Sequence, residues 1–65
     1  MIKRNTKMTN HEIIVEQFEV YMQEHAKLTE KGIKASAARA RKAISEITKA
    51  GKERRKEIME EKNAL

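Results

Sequence analysis

The chain has 65 residues, a net charge of +5, 38% charged side chains, and neither cysteine nor proline. These figures exclude a disulfide framework and a thiolate metal site, and they leave room for one small domain that buries too little surface to be comfortably stable alone. No run approaches the roughly 18 apolar residues needed to cross a bilayer, and no apolar secretory core follows the basic start, so the chain is expected to stay where it is made.

Residues 1–9 carry Lys3, Arg4 and Lys7 and show no periodicity, which predicts a basic, mostly disordered arm. Residues 10–65 are predicted to form one helical hairpin domain. Thr9 and Asn10 both suit a helix N-cap, and Glu12 follows in the first turn, where a carboxylate meets the positive helix end. The first helix is predicted over about 10–30. Ile14, Phe18, Tyr21, His25 and Leu28 recur at helical spacing and predict its buried face, widened by Val15 and Met22.

Gly32 interrupts the pattern and suits a left-handed position just past a helix end. The second helix is predicted over about 34–62. Its stripe is Ile33, Ala37, Ala40, Ile44, Ile47, Gly51 and Ile58, with Arg54 where another apolar residue is due. A short link makes the two helices antiparallel neighbours, and Ala37 and Ala40 let them approach closely. The fold class is therefore all-α, an antiparallel two-helix hairpin. A hairpin has one seam only, so it is expected to dimerise into a four-helix bundle or to form a larger homo-oligomer.

Charge is segregated along the chain. Residues 10–30 carry five Glu against Lys27, whereas residues 31–56 carry ten Lys or Arg against two Glu. A solvated face usually mixes signs, so this imbalance points to a polyanion. With Ala40 and Ile47 turned inward, Lys34, Arg41, Lys42, Lys49, Lys52, Arg55 and Lys56 fall on adjoining outward rows. Ser45 and Thr48 lie among them as hydroxyl donors to phosphate. Zinc-ligand spacing, a recognition-helix pattern and a stacking aromatic set are all missing, so phosphate contact with little base discrimination is expected. Phosphate contacts do not separate DNA from RNA, and both remain open as ligands.

At these residues the chain resembles the small bacterial linker-histone-like nucleoid proteins named for their chlamydial members. That family shows a stretch Glu-Lys-Gly-x-Lys-Ala-Ala-x-x-Arg-Ala-Arg-Lys-Ala, matched here by Glu30 to Ala43. Glu46-Ile47 and Lys52-Glu53-Arg54-Arg55-Lys56 then stand where the family has a Glu-rich apolar turn and a Lys-Glu-aromatic-Arg-Lys element. The resemblance covers roughly residues 12–58, and its specific part is 30–56. It implies a DNA-binding, DNA-compacting role in the nucleoid, hence a cytoplasmic location. By match, Lys31, Lys34, Arg39, Arg41, Lys42, Lys52, Arg55 and Lys56 are the implied phosphate contacts. Arg54 replaces the family's aromatic and is expected either to weaken the distal seam or to add one more phosphate contact. Residues 59–65 are acidic where chlamydial members carry a Lys/Ala-rich tail, so compaction is expected to need several subunits acting together.

No catalytic chemistry is expected. His11 and His25 are fourteen residues apart without further ligands, and Glu60 and Glu61 have no pocket to shift either carboxyl. Neither a cofactor, a metal nor a small-molecule substrate is implied. A membrane-surface helix needs bulky apolar residues where the second helix offers Ala and Gly. The competing reading is a helical coiled-coil assembly module, such as a virion or scaffold component, without nucleic-acid function.

Overall fold

A computed structural model describes residues 8–65. Of the expected arm, Lys3, Arg4 and Lys7 lie outside the described residues. Among the described residues the chain forms two helices and no strand: α1, Asn10–Lys31, and α2, Ala35–Ala64.

The start of α1 is a capping box. The Glu12 N–H donates to Thr9 Oγ1 at 3.1 Å, and the Thr9 N–H donates to Glu12 Oε1 at 2.9 Å. This satisfies two amides that a helix start otherwise leaves without partners. The end of α1 is set by Gly32, which takes φ 67° and donates its N–H to the Leu28 carbonyl at 3.1 Å. The Ile33 N–H reaches the Lys27 carbonyl at 3.2 Å, which turns the chain back. α2 begins without a side-chain cap; Ser36 and Ala37 donate to the carbonyls of Ile33 and Lys34, both at 3.0 Å. Asn10 Nδ2 donates to Glu57 Oε2 at 2.7 Å, which ties the start of α1 to the far part of α2 and makes the pair antiparallel along the whole of α1.

The seam differs from the predicted one. On α1 the inward face centres on Glu24 and takes in Ile13, Gln17 and Val20 together with part of the predicted row. Of that row, Phe18 and His25 are exposed, while Ile14, Tyr21 and Leu28 are half-buried like Ile13, Gln17 and Val20. The buried face is thus turned toward the preceding row, by roughly half of the 100° step between residues. On α2, Ala40 and Ile47 face inward as expected, but Ser36, Ala43 and Ala50 are buried beside them. Ile33, Ile44 and Ile58 are exposed. The physical reason is close approach. Ser36, Ala40, Ala43 and Ala50 present the smallest surface on α2, and helices that close on it leave no room for the branched isoleucines in the same plane. The hairpin therefore encloses very little: its largest fully buried side chain is Ser36.

Candidate nucleic-acid interface

α2 is amphipathic in charge rather than in hydropathy. At about 100° per residue, Arg55, Arg41, Lys34, Lys52, Lys56, Lys49 and Lys42 occupy an arc of about 140° centred opposite the seam. All seven are exposed. From Lys34 to Lys56 the arc runs about 33 Å along the helix. Spacings of 3, 4 and 7 keep these cations on one arc, with steps of two turns from Lys34 to Arg41 and from Lys42 to Lys49. Ser45 is exposed among them, whereas the Thr48 hydroxyl donates to the Ile44 carbonyl at 3.0 Å.

Ion pairing grades these cations. Among the described residues Lys34, Arg41, Lys42, Lys52 and Arg55 make no ion pair. Lys49 approaches Glu46 at 3.6 Å and Lys56 approaches Glu53 at 3.6 Å, both pairs one turn apart on the same helix. Exposed pairs of this kind are weak and give way to a better anion.

Three of the ten expected contacts stand elsewhere. Lys31 is the last residue of α1, exposed beside the turn. Arg39 is exposed but sits at the edge of the seam, 3.5 Å from Glu24 Oε1. Arg54 lies in the seam row itself. Its Nη1 donates to Glu57 Oε1 at 3.2 Å and to Glu61 Oε2 at 2.7 Å, and these two carboxylates, Glu61 foremost, hold its guanidinium pKa above the usual value. Of the two roles anticipated for Arg54, the distal seam is where it is placed. Its position in the inward repeat and its two carboxylate partners take it out of the free basic arc.

Glu24 was not anticipated. The residue is 7% exposed, on the inward face of α1. The Ser36 hydroxyl beside it, with Lys27 at 3.7 Å and Arg39 at 3.5 Å, lowers its pKa against the opposing effect of burial. Glu24 Oε1 and Ser36 Oγ do not complete a hydrogen bond of regular geometry, so the Ser36 hydroxyl acts on the carboxylate through its dipole, with the two cations adding their charge. The signal that finds it is the parallel 4, 3 repeat through positions 13, 17, 20 and 24, one residue behind the apolar one.

The other candidate chemistry is not assembled. Among the described residues no group of three or more His, Cys, Asp or Glu is placed to hold a metal ion, and no helix is long and apolar enough to cross a membrane.

The family model for the histone H1-like protein Hc1 matches residues 8–64. The chain belongs to this family. The Hc1 match spans the α1 cap, both helices and the Gly32 turn, so the residues of the seam and of the basic arc all lie within the matched region. No curated protein and no solved structure matches the chain.

Proposed function

We propose that the chain is a nonspecific DNA-binding architectural protein of the nucleoid, gripping the phosphate backbone with the outer arc of α2. The observation that carries this reading is the arc itself: seven cations on the side of α2 turned away from α1, five of them without an internal partner among the described residues. Duplex DNA presents about one negative charge per 1.7 Å, so an arc of about 33 Å meets enough phosphates to use all seven. Both aromatic side chains, Phe18 and Tyr21, belong to α1, so α2 offers bases no aromatic ring to stack on. Contact is with the backbone, and register on the sequence is not read. The family's histone-like description supports DNA over RNA. Lys31 and Arg39 contribute at the margin of the footprint, and the basic residues Lys3, Arg4 and Lys7 add charge to the same molecule.

The test is a titration of fluorescent duplex DNA of scrambled sequence at several salt concentrations. The expected result is a plot of log K against log salt with a slope of about −4.5 to −6.3, the release expected for five to seven neutralised phosphates. Arg41→Glu combined with Lys42→Glu abolishes binding while helicity stays intact. A single-stranded RNA competitor that displaces the duplex at equal concentration shifts the ligand class to RNA. No binding at low salt by the folded chain sinks the reading. It then promotes the assembly module, which the exposed Phe18, Ile44 and Ile58 favour.

A further inference from the structure

Ser45 stands at the middle of the basic arc. It is eleven residues from Lys34 and eleven from Lys56, and at about 100° per residue it lies within about 10° of the arc's centre line. It is exposed, and its hydroxyl makes no hydrogen bond among the described residues. The other hydroxyls of the described residues are engaged or covered. Thr9 Oγ1 accepts from the Glu12 N–H at 3.1 Å. Thr29 donates to the His25 carbonyl at 2.9 Å, and Thr48 to the Ile44 carbonyl at 3.0 Å. Ser36 is fully buried, and Tyr21 is half-buried and stacked on His25. On a helix surface, neighbours lie three and four residues away. For Ser45 these are Arg41, Lys42, Thr48 and Lys49, all exposed and three of them cationic.

We propose that Ser45 is a phosphorylation site, and that a phosphoryl group there closes the centre of the basic arc; the second half rests on the DNA reading. The donor is a nucleoside triphosphate held by a protein kinase. Ser45 Oγ forms a bond to the γ-phosphorus, and the bond from that phosphorus to the β–γ bridging oxygen breaks. The nucleoside diphosphate leaves, and the hydroxyl proton passes to the kinase's carboxylate base. Two features fit the chain to such an enzyme. Arg41 and Lys42 precede Ser45 by four and three residues, a basic approach that an acidic substrate cleft selects. The second feature is a local weakness of α2, which lets the acceptor leave the helix and enter a cleft. Residues 44–51 hold three β-branched side chains, a serine and Gly51, whereas 35–43 and 52–64 are mostly Ala, Lys, Arg and Glu. Behind this stretch the seam is Ala43 and Ala50 with the half-buried Ile47, which bury little and hold it lightly.

The consequence follows from charge. A phosphoserine carries about −1.5 to −2 at neutral pH and three acceptor oxygens. Arg41, Lys42 and Lys49 reach it from one turn on either side, and each charge-assisted bond takes a cation away from the duplex. Lys49 gives up only a weak exposed pair with Glu46 at 3.6 Å to do so. Three of the seven arc cations are then satisfied within the helix. The added charge also repels phosphates at the middle of the footprint. A bound duplex in turn covers Ser45, so modification acts on the free chain.

The experiment incubates the full chain with ATP and a purified protein kinase that selects basic residues before its serine, and locates the product by mass spectrometry. The expected result is a phosphoryl group on Ser45. Ser45→Ala takes none at this position, and saturating duplex of scrambled sequence protects it. Gly51→Ala takes it severalfold more slowly, because the stretch opens less often. The chain phosphorylated at Ser45 alone keeps its helicity and binds the duplex at least about tenfold more weakly, with the slope of log K against log salt reduced by about 2 to 3. No phosphate on Ser45 overturns the proposal. So does phosphorylation of Ser45 that leaves affinity and slope at their unmodified values. Labelling of Gly51→Ala at the wild-type rate overturns the opening step. A folded, unmodified chain that binds no duplex yet accepts phosphate on Ser45 counts against the DNA reading, and the acceptor site stands.

Discussion

Glu24 of α1 and Arg39 of α2 stand 3.5 Å apart across the hairpin, joining the two helices where a buried carboxylate enters the seam. The same carboxylate faces the fully buried Ser36 hydroxyl. The contact ties α2 to α1 through a residue that stands at the margin of the basic footprint. It sets a division of labour among the ten cations of residues 31–56: a few orient the fold, and the rest face outward.

This seam makes stability depend on acid. The pKa of Glu24 is lowered in the fold, chiefly by the Ser36 hydroxyl and further by Lys27 and Arg39, and that of Glu61 is lowered by Arg54. In the unfolded chain both carboxyls titrate near their ordinary 4.5. The unfolded state therefore takes up protons first as pH falls, so the stabilisation is complete above that value and is lost as pH drops through the lower folded pKa values. Thermal unfolding followed from neutral pH down through the carboxylate range shows a falling Tm. Glu24→Gln flattens this fall and leaves the part due to Glu61. A Tm for Glu24→Gln that tracks the wild type at every pH would show that the carboxylate is not coupled to folding.

The outer and inner cations separate by salt dependence. Arg41→Ala and Lys42→Ala each reduce the slope of log K against log salt by about 1 and leave Tm near wild type. Arg54→Ala does the reverse: the slope stays, and Tm falls because Glu57 and Glu61 lose their shared partner. Equal slope changes for all three variants would place Arg54 in the footprint after all.

Gly32 sits at φ 67°, a backbone conformation that a side chain disfavours. Gly32→Ala is expected to cost about 1–2 kcal/mol, and Gly32→Asn less, because asparagine tolerates the left-handed region. Nothing lies within 4 Å of a Cβ at this position, so the loss is conformational and not steric. Urea unfolding of the two variants measures the difference; equal midpoints for Ala and Asn would argue against a backbone origin.

Gly51 shows the opposite behaviour. It lies inside α2 with ordinary helical backbone, and a Cβ there meets nothing within 4 Å. Gly51→Ala is expected to stabilise the chain by about 0.5–1 kcal/mol through reduced backbone freedom in the unfolded state. A lowered Tm would mean that a second chain approaches the backbone at this point.

The residues themselves carry the helix ends. Thr9 with Glu12, and Gly32 after Lys31, act over one turn through their own side-chain oxygen or missing Cβ, so they are legible without any tertiary partner. The outward arc of Lys34, Arg41, Lys42, Lys49, Lys52, Arg55 and Lys56 was equally legible, because positions opposite Ala40 and Ile47 point outward whichever neighbouring row closes the seam. The row itself was not. Two sets run side by side on α2, Ile33-Ala37-Ala40-Ile44-Ile47 and Ser36-Ala40-Ala43-Ile47-Ala50, both at 4, 3 spacing and sharing Ala40 and Ile47.

Sequence alone thus determined two helices, their turn, their charge segregation and the face that meets solvent, since each follows from local backbone preference and helical geometry. Only the tertiary structure decided that small side chains close the hairpin, that Glu24 enters the seam, that Arg54 is drawn to Glu57 and Glu61, and that Phe18, Ile44 and Ile58 are left outside. Periodicity marks a stripe on each helix, but which stripe turns inward is settled by how closely two particular backbones can approach.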